Sequence, residues 1–166
     1  RFLDKITAVT ISYLSMQIKA GAQAIQLFDS WVGKLSPEDY RRYVFPHSAK
    51  ILGAIKSQFP HTPRIHFGVD TAMLLPAMKE AGASVMGVDW QTPLSFAQKT
   101  LGDGVALQGN LDPIALFAPE HLLREKVRTV LDQMKGRAGH IFNLGHGIIP
   151  ETPLESVTIA IDEVHS

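Results

Sequence analysis

Residues 141–153 read Ile-Phe-Asn-Leu-Gly-His-Gly-Ile-Ile-Pro-Glu-Thr-Pro, a segment that combines a strand, a loop and a helix start. Its apolar beginning predicts a short buried strand. Two glycines flank His146, so the backbone can turn sharply and leave the imidazole uncovered. Thr152 and Glu155 form the Thr-x-x-Glu pattern of a helix capping box, with proline between them. A histidine on such a loop is well placed to contact a ligand, and the alternative is a turn histidine with a structural hydrogen bond.

The composition is typical of one globular domain. The chain has 166 residues, 45% of them hydrophobic, and a formal net charge of zero, so we interpret residues 1–166 as a single domain. The balanced charge gives no reason to expect binding to nucleic acid or to an anionic membrane. No apolar run approaches the roughly 20 residues that span a bilayer. The first residues lack the pattern of a signal peptide, and we expect a cytoplasmic protein.

The chain contains no cysteine. Disulfides, zinc–thiolate sites, iron–sulfur clusters and thiol nucleophiles are therefore excluded for this sequence. Its seven histidines form no His-Glu-x-x-His pair, so the spacing predicts no metal site. His66 lies within a predicted strand, where packing is its expected role. The glycines form neither a Gly-x-Gly-x-x-Gly fingerprint nor a P-loop, and a nucleotide site is not predicted.

An apolar run followed by a helical pattern occurs five times. The runs are short and continuous, as expected for a parallel sheet that is buried on both faces. The predicted strands, some with their following loop, occupy residues 24–31, 64–69, 84–90, 105–110 and 141–144. Helices are predicted over residues 1–22, 36–56, 70–82, from 92 onward, 119–135 and 153–164. Pro46 predicts a kink or break in the second helix, and Asp70 with Thr71 is expected to cap the third.

This order predicts an α/β fold, which two architectures accommodate. One is an open doubly wound sheet, and the other is part of a (β/α)8 TIM barrel. A complete barrel needs about 250 residues, so five units would be the C-terminal five-eighths of an incomplete barrel. The sequence opens within a helical pattern that lacks a start signal, which favours the incomplete barrel. In both architectures, ligands bind at the carboxyl ends of the strands.

Polar and aromatic residues follow the predicted strands at this edge. Ser30 and His146 could together bind a carboxylate through a hydroxyl and an imidazole. Ser30 could instead shape a loop or cap a helix, and it is not in the Gly-x-Ser-x-Gly elbow of a nucleophile. Phe28 is most simply a packing residue. Asn110 and Asp112 could cap the helix that follows them.

Three segments resemble the uroporphyrinogen decarboxylase family. They read Leu-Phe-Asp-Ser-Trp-Val-Gly at residues 27–33, Gln-Gly-Asn-Leu-Asp-Pro at 108–113 and Phe-Asn-Leu-Gly-His-Gly-Ile at 142–148, continuing to Thr-Pro at 152–153. These motifs are specific in combination. The resemblance extends from about residue 21 to the last predicted helix.

The resemblance implies a (β/α)8 barrel that acts as a cytosolic homodimer. Members of this family remove CO2 from the four acetate side chains of uroporphyrinogen III and form coproporphyrinogen III on the route to haem. They use no metal or organic cofactor, because protonation of a pyrrole carbon makes the substrate its own electron sink. The family's substrate-contacting serine and histidine correspond to Ser30 and His146, which implies carboxylate binding by both and makes His146 a candidate for proton transfer. The cleft-lining phenylalanine of some members corresponds to Phe28.

Other parts of the family's active site have no counterpart in this sequence. An arginine-rich motif, an aspartate that anchors the pyrrole N–H groups and a tyrosine belong to the first three units of the family's barrel. No residue could therefore be assigned with certainty to catalysis here. We expect the 166-residue chain alone not to decarboxylate uroporphyrinogen.

Two alternatives accommodate the same pattern. Methyltransferases of the same superfamily hold zinc with a His-x-Cys pair and a later cysteine. The corresponding segment here is His66-Phe67-Gly68, with glycine in place of the cysteine, so thiolate zinc ligands are missing. The other alternative is a non-catalytic domain that binds a tetrapyrrole or a protein partner.

Overall fold

Five parallel strands form one sheet in the order of the chain. The computed structural model describes residues 1–166, and its strands are β1 (Ile25–Phe28), β2 (Arg64–Phe67), β3 (Val85–Gly87), β4 (Ala106–Gln108) and β5 (His140–Ile141). Each strand pairs in parallel with the next. This order excludes the doubly wound alternative, in which the strand order reverses at a switch point. The predicted α/β fold with five strand–helix units is confirmed, and the sheet is open.

The helices form a continuous layer along the sheet. They are α1 (Phe2–Lys19), α2 (Pro37–Asp39), α3 (Phe45–Gln58), α4 (Leu75–Glu80), α5 (Leu94–Leu101), α6 (Glu120–Gln133) and α7 (Leu154–Val164). From α3 onward each long helix contacts the next, and α1 packs on α3. Because successive helices touch, they lie on the same side of the sheet, as in the wall of a barrel. None of them combines the length and the apolar character needed to cross a membrane.

The sheet is strongly curved. Gln108 on β4 donates a hydrogen bond from its side-chain amide to Gln26 on β1, with 3.1 Å between nitrogen and oxygen. In a flat sheet, strands three places apart would be about 14 Å from one another. The glutamines meet because the face opposite the helices is concave.

Two groups of buried apolar residues hold the helical layer to the sheet. The larger group joins α4, α5 and α6 to the central strands through residues such as Leu75, Met78, Met86 and Leu123. The smaller group lies between α1, α3 and β1 and includes Ile25. β1, β3 and β4 therefore contribute apolar side chains toward the helices, which explains the apolar runs of these strands in the sequence.

Near Pro46, where the sequence predicts a kink or break, the helical run is not broken but passes from α2 through a π-helical turn, Tyr40–Val44, directly into α3. Pro46 occupies the first turn of α3, directly after this wider turn, and it donates no backbone hydrogen bond to the preceding turn. The predicted caps Asp70 and Thr71 are wrong, because α4 begins only at Leu75. Asp70 adopts a left-handed backbone conformation with φ of 58°, and its carboxylate accepts a hydrogen bond from a lysine.

The predicted capping box before α7 is also wrong. Pro153 occupies the N-cap position, and the helix begins at Leu154 without a side-chain cap. Thr152 therefore lies one residue too early to reach the free backbone N–H groups of the first turn. Its buried hydroxyl has no hydrogen-bond partner.

The strand predicted over residues 141–144 is shorter than expected. β5 contains only His140 and Ile141, and Ile141 is 44% exposed because it lies on an edge strand. One isolated parallel bridge between Leu111 and Leu144 continues the pairing. The Asp112 cap is confirmed, since its carboxylate accepts the backbone N–H of the residue two positions later.

An ion-pair cluster holds α7 against α6. Glu163 on α7 is buried and accepts hydrogen bonds from Arg128 and, at 2.9 Å, from Arg124. These donors, Arg128 above all, hold the pKa of Glu163 below its usual value. Because the carboxyl is more acidic in the folded chain, the stabilisation exists above the unfolded pKa and is lost as the pH falls through the folded one.

Replacement of Glu163 by glutamine should lower the free energy of unfolding at neutral pH, because two arginines lose their buried anionic partner. The difference from the native chain should shrink as the pH falls from the unfolded pKa of about 4.3 toward the lower pKa of the folded carboxyl, where the native side chain also becomes neutral. Urea denaturation at several pH values measures both effects. Glu80→Gln, at an exposed pair with Arg41, serves as the control and should change little. A loss that is equal at every pH would contradict this account of α7.

Candidate functional site

A cavity of about 460 Å³ opens at the carboxyl edge of the sheet. Four loops supply its walls, one each after β1, β2, β3 and β5. The residues that line it are Ser30, Trp31, Lys34, Val69, Asp70, Trp90, Gln91 and His146. The structure thus brings Ser30 and His146 to one cavity from opposite ends of the chain.

The loop that carries His146 is held by the sheet. Leu111 donates its N–H to Asn143 at 3.0 Å and accepts the N–H of Gly145 at 2.7 Å. The His146 ring is exposed and lies edge-to-face against Trp90, with 5.7 Å between the ring centroids. The imidazole is therefore positioned by the backbone on one side and by an aromatic ring on the other.

Two glycines allow these loops to approach one another closely. A Cβ atom at Gly145 would lie 2.7 Å from the Cα of Trp90. A Cβ atom at Gly68 would lie 2.9 Å from the backbone oxygen of Asp29. Real Cβ atoms do not come this close to backbone atoms, so larger residues would push the loops apart.

The loop that carries Ser30 is anchored through the residue before it. Asp29 accepts hydrogen bonds from His66 at 2.8 Å and from Ser48 at 3.0 Å. Its backbone N–H also continues the ladder to Phe67 at 2.7 Å. His66 is completely buried, so the packing role predicted for it is correct but incomplete, because it also fixes a carboxylate. The network holds the β1 loop in one place.

A phenol lies near this network but takes no part in hydrogen bonding. Tyr40 is completely buried and its hydroxyl has no hydrogen-bond partner. Burial, and then the charge of Asp29, raise the pKa of Tyr40 far above its usual value. The phenol therefore remains neutral and cannot act as a base at physiological pH.

The loop after β3 is fixed from within the protein. Asp89 is completely buried and accepts the backbone N–H of Gln91 at 2.8 Å. Asn110 donates its side-chain amide to the backbone oxygens of Asp89 and Thr92. Asn110 therefore ties two loops together, and the prediction that it caps a helix is wrong. Trp90 reaches the cavity because both of its neighbours are held.

Three polar residues of the cavity were not found from the sequence. Lys34 donates to Asp70 at 2.5 Å, and Gln91 donates to the second carboxylate oxygen of Asp70 at 2.5 Å. The hydrogen bond from Lys34 holds the pKa of Asp70 below its usual value. The only signal in the sequence was the position of each residue shortly after a strand, which many surface residues share.

Phe28 lies outside the residues that line this cavity. It ends β1 with 64% of its surface exposed and packs edge-to-face on Phe67, with 6.0 Å between ring centroids. Phe28 thus packs on the sheet and also presents an apolar surface. No group of three or more His, Asp or Glu side chains has an arrangement that could hold a metal ion.

A family model described as uroporphyrinogen decarboxylase (URO-D) matches residues 1–166. The chain belongs to the uroporphyrinogen decarboxylase family. Two curated relatives illustrate the match. The uroporphyrinogen decarboxylase of Streptomyces griseus is 53% identical over 98% of this chain and 44% of its own length. That of Sorangium cellulosum is 52% identical over 99% of this chain and 46% of its own length.

The chain spans about half the length of these curated relatives of the uroporphyrinogen decarboxylase family. A solved structure, a methyltransferase from Methanosarcina mazei, has a TM-score of 0.83 at 20% identity. The match includes 96% of this chain and 46% of the methyltransferase chain. At that identity the likeness concerns the fold alone. The open five-stranded sheet and this coverage are consistent with an incomplete (β/α)8 barrel.

Replacement of Gly145 by alanine should destabilise the chain by about 1–3 kcal/mol, because the new methyl group collides with the backbone of Trp90. Urea denaturation measures the loss, and a change in tryptophan fluorescence, to which Trp90 contributes, reports the displaced loop. Gly147→Ala is the matched control, since nothing lies within 4 Å of a Cβ atom there. Equal stability of the two variants would show that the close approach is not required.

Proposed function

We propose that this chain forms part of the active site of a uroporphyrinogen decarboxylase, which converts uroporphyrinogen III to coproporphyrinogen III. The observation that carries the proposal is the meeting of Ser30 and His146 in one cavity, within a chain that matches the family over its whole length. The reaction belongs to a complete enzyme. This chain contributes the walls described above.

The reaction places defined demands on these walls. The substrate is a flexible macrocycle with many carboxylates, and one pyrrole carbon must be protonated before CO2 can leave. The electrons of the breaking C–C bond then flow into the protonated ring, so no organic cofactor or metal is needed as an electron sink. The protein has to orient the macrocycle, bind its carboxylates and supply a proton.

Ser30 and His146 suit the carboxylate part of this task. A serine hydroxyl and an imidazole N–H both donate hydrogen bonds to carboxylate oxygens. Both side chains lie on loops whose backbone is fixed, so little ordering is required when the ligand binds. We assign carboxylate binding to both residues, and we assign a part in proton transfer to His146.

Aromatic surface at the same edge suits the macrocycle itself. Trp31 is 81% exposed and Phe28 is 64% exposed, although large apolar side chains are usually buried. We propose that Trp31 and Trp90 contact the apolar part of the tetrapyrrole inside the cavity, and that Phe28 contacts it beside the cavity. The complete enzyme is proposed to be a cytoplasmic homodimer.

A methyltransferase is the second candidate, because the fold resembles that of the Methanosarcina enzyme. The residues of this chain do not supply the zinc ligands expected for such an enzyme. His66 is buried and bonded to Asp29, Gly68 replaces the first cysteine, and no other cysteine exists. The residues at this edge support the decarboxylase better.

The first test is turnover. A full-length polypeptide that carries this sequence should release CO2 from uroporphyrinogen III and accumulate coproporphyrinogen III. Chromatography of the oxidised porphyrins measures this conversion. The 166-residue chain alone should show no turnover. Binding without turnover by every polypeptide that carries the sequence would indicate the non-catalytic tetrapyrrole-binding alternative. Turnover by the 166-residue chain would overturn the view that this chain forms only part of the active site.

The second test is the replacement of His146 by alanine in the active polypeptide. Loss of a charge-assisted hydrogen bond to the substrate should reduce kcat/KM by about 10–100-fold, since such bonds contribute about 1.5–3 kcal/mol. Partly decarboxylated porphyrins should accumulate. Ser30→Ala should show a smaller loss, and His165→Ala, on an exposed residue after α7, is the control. Unchanged kinetics for His146→Ala would remove it from the site.

A further inference from the structure

We propose that Lys34 is a carboxylate-binding residue of this cavity, and that Asp70 holds its ammonium group until an anionic ligand replaces Asp70 as the partner. The inference rests on the proposed function for the identity of the ligand, a tetrapyrrole polycarboxylate. It adds a cationic group to a site in which Ser30 and His146 are the expected carboxylate-binding residues.

The charges inside the cavity motivate the proposal. Among the residues that line it, Lys34 is the basic side chain with a permanent charge and Asp70 is the acidic one. Their charged atoms lie 2.5 Å apart, so each neutralises the other. A polycarboxylate that entered this arrangement would gain no cation and would approach an aspartate. Release of Lys34 from Asp70 supplies the missing cation, and Gln91 remains as the hydrogen-bond donor to the Asp70 carboxylate.

Lys34 is the partner that can move. Its side chain is 67% exposed, whereas that of Asp70 is 31% exposed. Lys34 is the last residue of a short 3-10 turn, Val32–Lys34, and its long flexible stem can swing without a change in the backbone. An exposed ion pair of this kind is weak, so a competing carboxylate can take its place at little cost.

Asp70 is held independently of Lys34. Gln91 donates to its other carboxylate oxygen at 2.5 Å. A Cβ atom at Gly33 would lie 2.6 Å from the Cβ of Asp70, so the two loops are packed together at this point. Asp70 also has a φ of 58°, in the left-handed region where Asp and Asn are the commonest non-glycine residues. Asp70 therefore stays in place when the ammonium group leaves.

The chain provides its own probe for a binding test. Both of its tryptophans, Trp31 and Trp90, line the cavity. Quenching of tryptophan fluorescence therefore reports a ligand that enters there. Uroporphyrin III, the oxidised form of the proposed substrate, and pyromellitate, a small polycarboxylate without a macrocycle, are the two probes.

Replacement of Lys34 by methionine should weaken the affinity for both probes by about tenfold, because one charge-assisted hydrogen bond to the ligand is lost. Lys34→Arg should retain most of the affinity, because it keeps the charge. Asp70→Asn should act in the opposite direction and tighten binding by about two- to fivefold, since Lys34 no longer has a competing partner. Asparagine tolerates the left-handed backbone and can keep the bond to Gln91. Lys56→Met, on the exposed face of α3, is the control and should leave affinity unchanged.

The opposite signs distinguish ligand binding from a purely structural ion pair. A structural pair would make Lys34→Met and Asp70→Asn weaken binding alike, and that result would overturn the proposal. Unchanged affinity in Lys34→Met, or no binding of either probe to the native chain at millimolar concentration, would also overturn it. If circular dichroism shows that Lys34→Met does not fold, the direction of the Asp70→Asn effect on affinity tests the proposal.

The decarboxylase proposal is judged separately by turnover. Opposite effects with pyromellitate alone would retain Lys34 as a carboxylate-binding residue even if the full-length polypeptide produced no coproporphyrinogen. Turnover together with unchanged affinity in Lys34→Met would retain the enzyme and reject the role of Lys34.

Discussion

The parallel, in-order pairing of five strands is the constraint on which this structure depends. Because every strand runs the same way, the loops after β1, β2, β3 and β5 meet at one edge. The curvature that lets Gln26 bond to Gln108 closes this edge into a concave surface. Residues as far apart in the chain as Ser30 and His146 can then face one ligand.

Backbone proximity and buried polar bonds keep these loops in register with one another. Gly68 and Gly145 let neighbouring loops touch through their main chains. Asp29 and Asp89 face inward from the loops after β1 and β3, and Asn110 faces inward from the loop after β4; they bond to His66 and to backbone groups. Their neighbours Ser30 and Trp90 face outward into the cavity. The loops therefore alternate between a residue that anchors and a residue that is available to a ligand.

The pair formed by Lys34 and Asp70 differs from these anchors because it is exposed and contains a mobile partner. Buried bonds such as that between Asp29 and His66 position the loops, and breaking them would leave an uncompensated polar group inside the protein. An exposed pair costs far less to exchange. In the proposed function, the rigid wall would orient the macrocycle and the movable cation would accommodate its carboxylates.

The sequence by itself determined the α/β class, the number of strand–helix units, the family and the placement of Ser30 and His146 at strand ends, because periodicity and motifs are local. Only the tertiary structure decided the start of α7 after Pro153, the role of Asn110 between two loops, and the meeting of Lys34 with Asp70 and Gln91. These depend on which loops touch. A lysine or glutamine near a strand end has the same local pattern whether it faces solvent or a carboxylate, and only the packing of distant segments distinguishes the two.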